Sequence, residues 1–364
     1  MSLKLEERVL LGERTSLRIG GEARYWLDAP DASAVIEALG WARAAGVSVE
    51  VLGAGTNVVV ADRGLDALVL RVRAAGRRVR ESSGGTVQVE VGAGVALDEL
   101  VAWSVAEGLG GLECLSGIPG DVGAAPLQNA GAYGQEVADC IEEVQAVARP
   151  SGRLVALPAQ DCGFGYRQSI FKGAAAGRYA IVAVRFRLRR DAPAATGYPE
   201  IERALRAAGA PATLAAVREA VLGLRRGKSM LLDPQDENGR SAGSFFVNPV
   251  VGVAQAAEVE ARAAPLLAPG EGMPRFGAGP GRVKLAAGWL IERAGLPRGL
   301  ARGRVGISTR HALCLVNRGG ASAAELVALA AEVRARVRER FGVALAVEPR
   351  LLGFAPEEIA GLLD

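Results

Sequence analysis

Histidine is almost absent from this sequence, because His311 is the only one in 364 residues. The four cysteines, Cys114, Cys140, Cys162 and Cys314, lie far apart and form no C-x-x-C pair. Zinc and iron–sulfur sites take their ligands from clusters of these residue types. The sequence therefore predicts no metal centre. A Ser-His-Asp catalytic site remains an alternative, and it would have to use the one histidine.

Long apolar runs are also missing. No segment approaches the roughly 20 apolar residues that a membrane-spanning helix needs. Charges at Lys4, Glu6, Glu7 and Arg8 interrupt the amino-terminal region, so it lacks the apolar core of a signal peptide. We expect a cytoplasmic protein with no membrane partner.

Neither sign of charge is in large excess. The 43 basic and 40 acidic residues leave a net charge of +3. Because non-specific nucleic-acid binding rests on neutralising phosphates, this balance predicts no nucleic-acid partner. Half of the residues are hydrophobic (50%), which at this length is enough to fill the cores of two or three domains.

Glycine, in contrast, is abundant, and it marks a loop early in the chain. A helix predicted over 31–45 and a strand over 47–52 lead into Gly-Ala-Gly-Thr-Asn at 53–57, and the apolar run 58–60 follows. Free N–H groups of such a turn can hold a phosphate. However, Val58 replaces the third glycine of the Rossmann pattern, and a strand-like run replaces its helix. A phosphate loop of another fold and a plain tight turn both remain open.

A second glycine-rich segment, 108–134, follows a helix predicted over 97–107 whose inward residues are Leu97, Leu100, Val101 and Val105. The segment is poor in charge and carries several large apolar side chains, whereas a flexible linker is rich in Ser, Lys or Glu. It fits a buried loop wrapped around a ligand, and a compact Ω-loop is the alternative.

The rest of the chain predicts strands and helices in an α+β order. Strands are expected over 144–147, 154–157 and 179–188, a boundary over 191–197, and helices over 217–226 and 323–340. The last helix begins with a Ser-x-x-Glu capping box at 322–325 and ends near Gly342.

Ser244 stands between Gly243 and the pair Phe245–Phe246, in the string RSAGSFFVNP. Glycine permits a bend or a close approach to a ligand, and the aromatic pair can exclude water or simply pack in a core. The string is not the G-x-S-x-G elbow of hydrolases, and a serine nucleophile needs a base.

Taken in order, seven segments carry a resemblance: 53–57, 117–134, 166–172, 243–249, 284–295, 311–319 and 347–353. Together they resemble the motifs of the UDP-N-acetylenolpyruvoylglucosamine reductase (MurB) family. The resemblance implies an α+β protein with an FAD-binding domain of the vanillyl-alcohol oxidase type, made of two α/β subdomains, over 1–190. It implies a smaller α+β substrate-binding domain over 214–344, with 345–364 packing back on the first domain.

The resemblance also implies the activity. FAD, reduced by NADPH, would reduce the enolpyruvyl ether of UDP-N-acetylglucosamine to UDP-N-acetylmuramate, a peptidoglycan precursor. The flavin is expected to be non-covalent, since the sole histidine lies far downstream of the flavin domain. The expected partners are the UDP-sugar and NADPH, and the expected state is a monomer or weak dimer.

Three residues match the family's catalytic positions. Ser244 matches the proton donor, which makes it a general acid. Arg167 matches the residue that stabilises the enediolate-like intermediate, a task suited to the guanidinium fork. Glu348 matches the acid that works beside it, which would require a raised pKa if the carboxyl is protonated.

Further matched positions are expected to bind ligands. Tyr198 matches a tyrosine on a mobile loop that covers the nucleotide in one family subtype, and Lys228 suits a diphosphate. The expected substrate-binding residues are Tyr166, Tyr198, Lys228, Asn248 and His311, the last of which has a purely structural role as an equal alternative. The expected FAD-binding residues are Gly53, Ala54, Gly55, Thr56, Asn57, Gly117, Ile118, Gly120, Val122, Gly123, Asn129, Gly131 and Tyr133.

The sequence departs from many relatives at two places. Ala346 stands where they carry a second acid, and Pro297–Arg298 replaces a shorter turn that contains lysine. Two other functions remain open: a flavin oxidase of the same fold acting on another substrate, and a nucleotide-sugar binding protein without catalysis.

Overall fold

The computed structural model describes residues 3–81 and 84–363. The chain divides into two compact units. The first unit contains the residues up to Val9, Ala23–Gly55 and Asp66–Leu231. The second contains Leu10–Glu22, Thr56–Leu65 and the residues from Leu232 onward.

This division differs from the predicted domains. Residues 214–231 belong to the first unit, because the helix over Leu214–Gly227 packs on the glycine-rich segment there. The carboxyl-terminal residues 345–364 belong to the second unit. The strand within these residues does pair with residues 58–60, so the chain returns to its amino-terminal half as predicted. However, residues 58–60 themselves belong to the second unit. Sequence order alone does not reveal such exchanged segments.

The structure contains both α-helices and short 3-10 helices. The α-helices are α1 Ala32–Ala44, α2 Leu97–Ala106, α3 Pro199–Ala208, α4 Leu214–Gly227, α5 Val253–Ala263, α6 Ala287–Arg293 and α7 Ala323–Phe341. The 3-10 helices are Leu11–Arg14, Glu113–Leu115, Val122–Gln128, Val137–Asp139, Ala159–Cys162, Ala264–Leu266 and Pro356–Leu362.

Short strands make up the sheets. In chain order they are β1 Glu6–Leu10, β2 Glu22–Ala29, β3 Ser48–Leu52, β4 Val58–Val60, β5 Leu65–Val72, β6 Arg77–Glu81, β7 Thr86–Gly92, β8 Leu109–Gly110, β9 Gly131–Ala132, β10 Gln135–Glu136, β11 Ile141–Ala148, β12 Arg153–Pro158, β13 Tyr179–Arg190, β14 Ser241–Ser244, β15 Val250–Gly252, β16 Arg275–Gly277, β17 Arg282–Leu285, β18 Ala301–Arg302, β19 Val305–Ile307, β20 Cys314–Asn317 and β21 Arg350–Leu352.

The first unit is built on two sheets. One has the order β1-β2-β5-β3, with β3 and β5 parallel. The other has the order β12-β11-β13-β7-β6, with β8 beside β13. Alternation along β7 and β13 buries one face of the second sheet, and α1 and α2 contribute apolar residues to the same core.

Capping explains where the predicted helices begin. Asp31 precedes α1, and its carboxylate accepts a hydrogen bond from Ala34 N at 2.9 Å. In α2 the predicted inward residues Leu97, Leu100 and Val101 are buried, and Val105 is partly buried and packs against the same core. Ser104 is also buried, because it continues the i, i+3, i+4, i+7 series from Leu97.

The second unit has its own core. Its sheet has the order β14-β20-β19-β18, beside the sheet β15-β17-β16 and the parallel pair β21–β4. Helix α7 begins at the predicted capping box, Ser322 with Glu325, and ends at Gly342 in the left-handed conformation. Within 3–81 and 84–363, no helix has the length and apolarity to cross a bilayer.

Candidate cofactor and active-site residues

The Gly-Ala-Gly-Thr-Asn loop connects β3 to β4, so a strand follows it where a Rossmann fold has a helix, as predicted. Gly53 does not need to be glycine for internal packing. A Cβ there would lie 3.4 Å from Ala124 Cβ and 3.6 Å from Asp121 Oδ2, which is ordinary van der Waals contact. Internal packing therefore does not account for glycine at this position, whereas a ligand that approaches the loop backbone closely would.

Other glycines predicted for the cofactor have a reason within the protein. A Cβ on Gly123 would lie 2.6 Å from Ala93 Cβ, and one on Gly131 would lie 2.8 Å from Gln135 O. Internal packing alone therefore excludes a side chain at both positions. Their contact with FAD stays a prediction.

The segment 108–134 is packed and hydrogen-bonded within the first unit, as its apolar residues indicated. Val122 is fully buried and its N–H donates to Val95 O at 2.8 Å, while Gly120 O accepts from Leu97 N at 2.9 Å. The segment ends in the short strand pair β9–β10. Its irregular backbone is thus satisfied by the protein, which excludes the linker interpretation.

One pair of buried atoms in this region is not satisfied internally. Among the described residues, Asp121 Oδ2 and Arg71 Nε are buried and have no hydrogen-bond partner. Buried polar atoms are normally paired, by the protein, by water or by a ligand. Together with a glycine at position 53 that internal packing does not require, these unsatisfied atoms fit a bound nucleotide cofactor.

Arg167 occupies a strained turn. Gly165 and Gln168 exchange backbone hydrogen bonds of 3.0 and 3.1 Å, so Tyr166 and Arg167 are the central residues of a four-residue turn. Arg167 has φ 53°, a left-handed conformation that costs a residue with a Cβ about 1–3 kcal/mol. Such strain persists only where the surroundings hold it in place.

The guanidinium of Arg167 is positioned by the glycine-rich segment. Its Nη2 donates to Gly131 O at 2.7 Å. Asn129 is buried, and its amide nitrogen donates to Gly165 O at 3.1 Å and to Glu136 Oε2 at 2.5 Å. The Asn129 side chain, expected to bind FAD, is therefore occupied in holding the turn that carries Arg167.

Four side chains form a second cluster in the first unit. The rings of Tyr133 and Tyr198 meet edge to face, with centroids 5.4 Å apart. Lys228 Nζ lies 5.5 Å from the Tyr133 ring centroid and 3.0 Å from both carboxylate oxygens of Glu200. Burial raises the pKa of Tyr133 to about 12, so its phenol stays neutral and can donate a hydrogen bond.

Glu200 was not predicted. It lies in the first turn of α3, two residues after Tyr198, and its partner Lys228 follows α4. The ion pair is non-local, so no spacing rule identifies it. Lys228 is therefore held by a carboxylate in this structure, and its contact with a diphosphate stays a prediction.

Ser244 and Glu348 lie on adjacent segments of the second unit, although 104 residues separate them in the chain. Ser244 ends β14 and pairs with Cys314 of β20. The next residue, Phe245, accepts a hydrogen bond from Glu348 N at 2.9 Å, and Phe246 pairs with Val347. Both catalytic candidates are half-buried, while the two phenylalanines between them are fully buried in the core.

Two of the predicted substrate residues have structural partners. Asn248 Oδ1 accepts a hydrogen bond from Ala287 N at 2.9 Å, at the first residue of α6. His311 N donates to Ser308 Oγ at 3.3 Å, and its carbonyl accepts from Cys314 N at 3.0 Å. These contacts shape the loop before β20, and a substrate role for either side chain stays a prediction.

Comparison with known proteins gives consistent matches along the chain. The family model for the C-terminal domain of UDP-N-acetylenolpyruvoylglucosamine reductase matches residues 233–352, and an FAD binding domain model matches 27–158. A UDP-N-acetylenolpyruvoylglucosamine reductase from Thermobifida fusca is 44% identical over 355 residues, covering 97% of this chain and 99% of the relative. One from Saccharopolyspora erythraea is 45% identical over 351 residues, covering 95% of each.

A solved structure shows the same similarity. The crystal structure of UDP-N-acetylenolpyruvylglucosamine reductase (MurB) from Thermus caldophilus matches with a TM-score of 0.64 at 28% identity. The match covers 96% of this chain and 100% of that one. The α+β fold class and the FAD-binding domain expected from the sequence are confirmed.

Gly53→Ala is expected to weaken FAD binding by about tenfold or more, because the added methyl group would separate the loop backbone from a cofactor bound against it. The melting temperature of the FAD-free protein should not change, since the Cβ meets only ordinary contacts. Gly123→Ala is the matched control and should lower that temperature through its clash with Ala93. Titration of FAD into both variants, followed by flavin fluorescence, checks this; equal affinity of Gly53→Ala and wild type would contradict it.

Proposed function

The chain belongs to the UDP-N-acetylenolpyruvoylglucosamine reductase family, whose members are FAD-dependent oxidoreductases of peptidoglycan precursor synthesis, and we propose the following reaction for it. The chain reduces the enolpyruvyl ether of UDP-N-acetylglucosamine to UDP-N-acetylmuramate with electrons from NADPH. When bound, FAD supplies the redox chemistry, taking electrons from NADPH and passing a hydride to the terminal carbon of the enolpyruvyl group. The loop that begins at Gly53 and the buried segment 117–134 would hold it.

The observation that carries the catalytic assignment is the backbone pairing of the Ser244 and Glu348 segments. Ser244 and Glu348 are far apart in the sequence, yet the fold places them on adjacent backbone segments. Both side chains are half-buried. Val247 N also donates to Ala346 O at 2.9 Å, so the pairing continues past Phe246. A general acid and a carboxyl group are thereby presented together by the second unit.

Ser244 acts as the proton donor in this proposal. After hydride arrives at the terminal carbon, the adjacent carbon carries carbanion character and needs a proton. An alkyl hydroxyl is a weak acid in water, but transfer to a strongly basic carbon in a site closed to water is feasible. Gly243, with φ 73°, bends β14 just before this hydroxyl, where a register shift interrupts pairing with β20.

Arg167 stabilises the charge that develops on the substrate carboxylate. Its planar guanidinium offers paired N–H donors to the two oxygens of an enediolate. The turn and the Gly131 carbonyl fix the group before substrate binds, and such preorganised donors supply most of the rate when charge develops. Glu348 donates to the same intermediate directly when its carboxyl group is protonated, or through a bridging water.

The position of the proton tests this assignment. Turnover in D₂O with NADPH should place one solvent deuterium on the carbon that bears the ether oxygen and the carboxylate, as read by proton NMR and mass spectrometry. A product without deuterium at that carbon would contradict a proton donor that exchanges with solvent. Absence of any product, with rapid consumption of oxygen, would support the flavin oxidase instead.

Lys228 binds the diphosphate of the UDP-sugar in this proposal, and Glu200 occupies the same ammonium in the free protein. Glu200→Gln is therefore expected to tighten binding of UDP by about threefold to tenfold, because the competing carboxylate is gone. Isothermal titration with UDP measures the effect.

The matched control for this change is Glu202→Gln. Glu202 lies on the same helix, is exposed, and pairs with Arg206 at 2.6 Å. Its loss should leave UDP affinity unchanged. Weaker UDP binding by Glu200→Gln would contradict competition and would make Glu200 a residue that orients Lys228.

A further inference from the structure

Asp121 and Arg71 form an incomplete pair inside the first unit. Arg71 Nη2 lies 3.8 Å from Asp121 Oδ2, beyond hydrogen-bond distance. Asp121 is only 6% exposed, and its Oδ2 and the Nε of Arg71 are buried without a hydrogen-bond partner among the described residues. Leaving a buried acceptor on a charged group unsatisfied costs about 1–3 kcal/mol or more.

The backbone of Asp121 is held in place on both sides. Asp121 pairs with Ala96 in an isolated bridge, and its carbonyl accepts a hydrogen bond from Ala124 N at 2.9 Å. The neighbouring residues Gly120 and Val122 are bonded to the chain around α2. The unsatisfied oxygen of Asp121 thus belongs to a buried residue on a hydrogen-bonded backbone segment and not to an exposed surface loop.

Arg71 reaches the same place from the sheet. It lies near the end of β5 and is paired in register with Leu52, the last residue of β3. Gly53 follows Leu52, and a Cβ on Gly53 would lie 3.6 Å from Asp121 Oδ2. The unsatisfied carboxylate oxygen therefore lies directly beside the first glycine of the Gly-Ala-Gly-Thr-Asn loop.

The direction of the pKa shift of Asp121 agrees with a carboxyl group whose hydrogen bonds are incomplete. Burial raises the pKa of the Asp121 carboxyl, while the charges of Arg71 and Arg73 act in the opposite direction. A carboxylate that was fully paired by the protein would show the reverse balance, as Asp98 does: hydrogen bonds from Arg218 and Gly117 outweigh its burial, and its pKa is lowered. Both carboxylates lie in the same unit, and only Asp121 lacks its donors.

We propose that Asp121 and Arg71 are FAD-binding residues: Asp121 Oδ2 accepts a hydrogen bond from an O–H or N–H group of the cofactor, and Arg71 Nε donates to one of its oxygens. FAD offers both chemistries, because its ribityl and ribose hydroxyls are donors and its diphosphate oxygens are acceptors. Arg71 lies outside the seven segments of the resemblance, and Asp121, although it lies within the segment 117–134, is not among the FAD-binding residues that the resemblance implies.

The test is FAD binding by the FAD-free protein, followed by the change in flavin fluorescence. Asp121→Ala and Arg71→Met should each weaken FAD binding by about tenfold to a hundredfold, the effect of losing a hydrogen bond to a charged group. The control is the exposed pair Arg24–Asp66, joined at 3.1 Å in the same unit. Arg24→Met and Asp66→Ala should bind FAD as wild type does.

A second readout separates a binding role from a structural one. If the pair only supports the fold, the variants lose thermal stability without FAD and keep wild-type FAD affinity, which would overturn the proposal. If Asp121→Ala does not fold, Asp121→Ser keeps a small polar group there and must still show the weaker binding. Titration with FMN and with ADP then identifies which half of the cofactor each residue contacts. No substrate enters these measurements, so they stand apart from the reaction proposed above.

Discussion

Ser244→Ala is expected to slow reoxidation of the reduced protein by UDP-N-acetylglucosamine enolpyruvate by about 10²-fold to 10⁴-fold, the usual effect of losing a positioned acid. Reduction by NADPH should continue at nearly the wild-type rate, because it requires no proton from this hydroxyl. Stability should change little, since the side chain is half-buried and the adjacent backbone bond, from Phe245 N to Leu313 O at 2.8 Å, does not involve it.

Stopped-flow absorbance of the flavin under anaerobic conditions measures the two half-reactions separately. Ser241→Ala is the control, because it removes a hydroxyl from the other end of the same short strand. It should leave both half-reactions close to wild type. If Ser244→Ala slows NADPH oxidation as much as substrate reduction, the serine supports cofactor or fold and is not the proton donor.

Arg167→Gly is expected to separate stability from activity. Glycine adopts φ 53° without the penalty of a Cβ, which offsets the lost hydrogen bond to Gly131 O. The free energy of unfolding should therefore change by no more than about 1 kcal/mol. Substrate reduction should fall by about 10²-fold to 10³-fold, as when an enzyme loses one preorganised donor to a developing negative charge.

Asp191→Gly provides a matched backbone control. Asp191 also has a left-handed conformation, with φ 54°, and it is exposed. Its replacement should give the same relief of strain with no effect on turnover. Chemical denaturation and steady-state kinetics of both variants, with Arg167→Lys as the variant that keeps the charge, complete the comparison. Full activity of Arg167→Gly would remove the arginine from the reaction.

Local signals predicted the secondary structure well. The capping residue Asp31 and the capping box at Ser322 identified the starts of α1 and α7, and Gly342 identified the end of α7. These signals act within one or two helical turns, so they can be recognised in the sequence without knowledge of tertiary contacts. The apolar residues of 108–134 likewise predicted its burial, although the strand pair β9–β10 within it was not foreseen.

Non-local pairing is what the sequence did not reveal. The exchange of residues 10–22 and 56–65 into the second unit depends on which strands find partners, such as β4 with β21. The ion pair of Glu200 with Lys228 and the incomplete pair of Asp121 with Arg71 join residues 28 and 50 positions apart in the chain. Periodicity and motif spacing carry no information about such contacts.

The resemblance identified positions but not the reason for each residue. Asn129 was expected to bind FAD, and in the structure its side-chain amide donates a hydrogen bond to Gly165 O in the turn that carries Arg167. Gly131 was expected to make room for the cofactor, and internal packing already excludes a side chain there. The structure thus gives Asn129 and Gly131 a role within the protein, and their contact with FAD stays a prediction.

The most direct test of the proposed function is a single anaerobic experiment. The purified protein with FAD is reduced by NADPH, UDP-N-acetylglucosamine enolpyruvate is added, and the flavin absorbance is followed. If the proposed function is correct, the oxidised spectrum returns rapidly before any air is admitted. A flavin that stays reduced with this substrate and reoxidises only on admission of air would contradict the account.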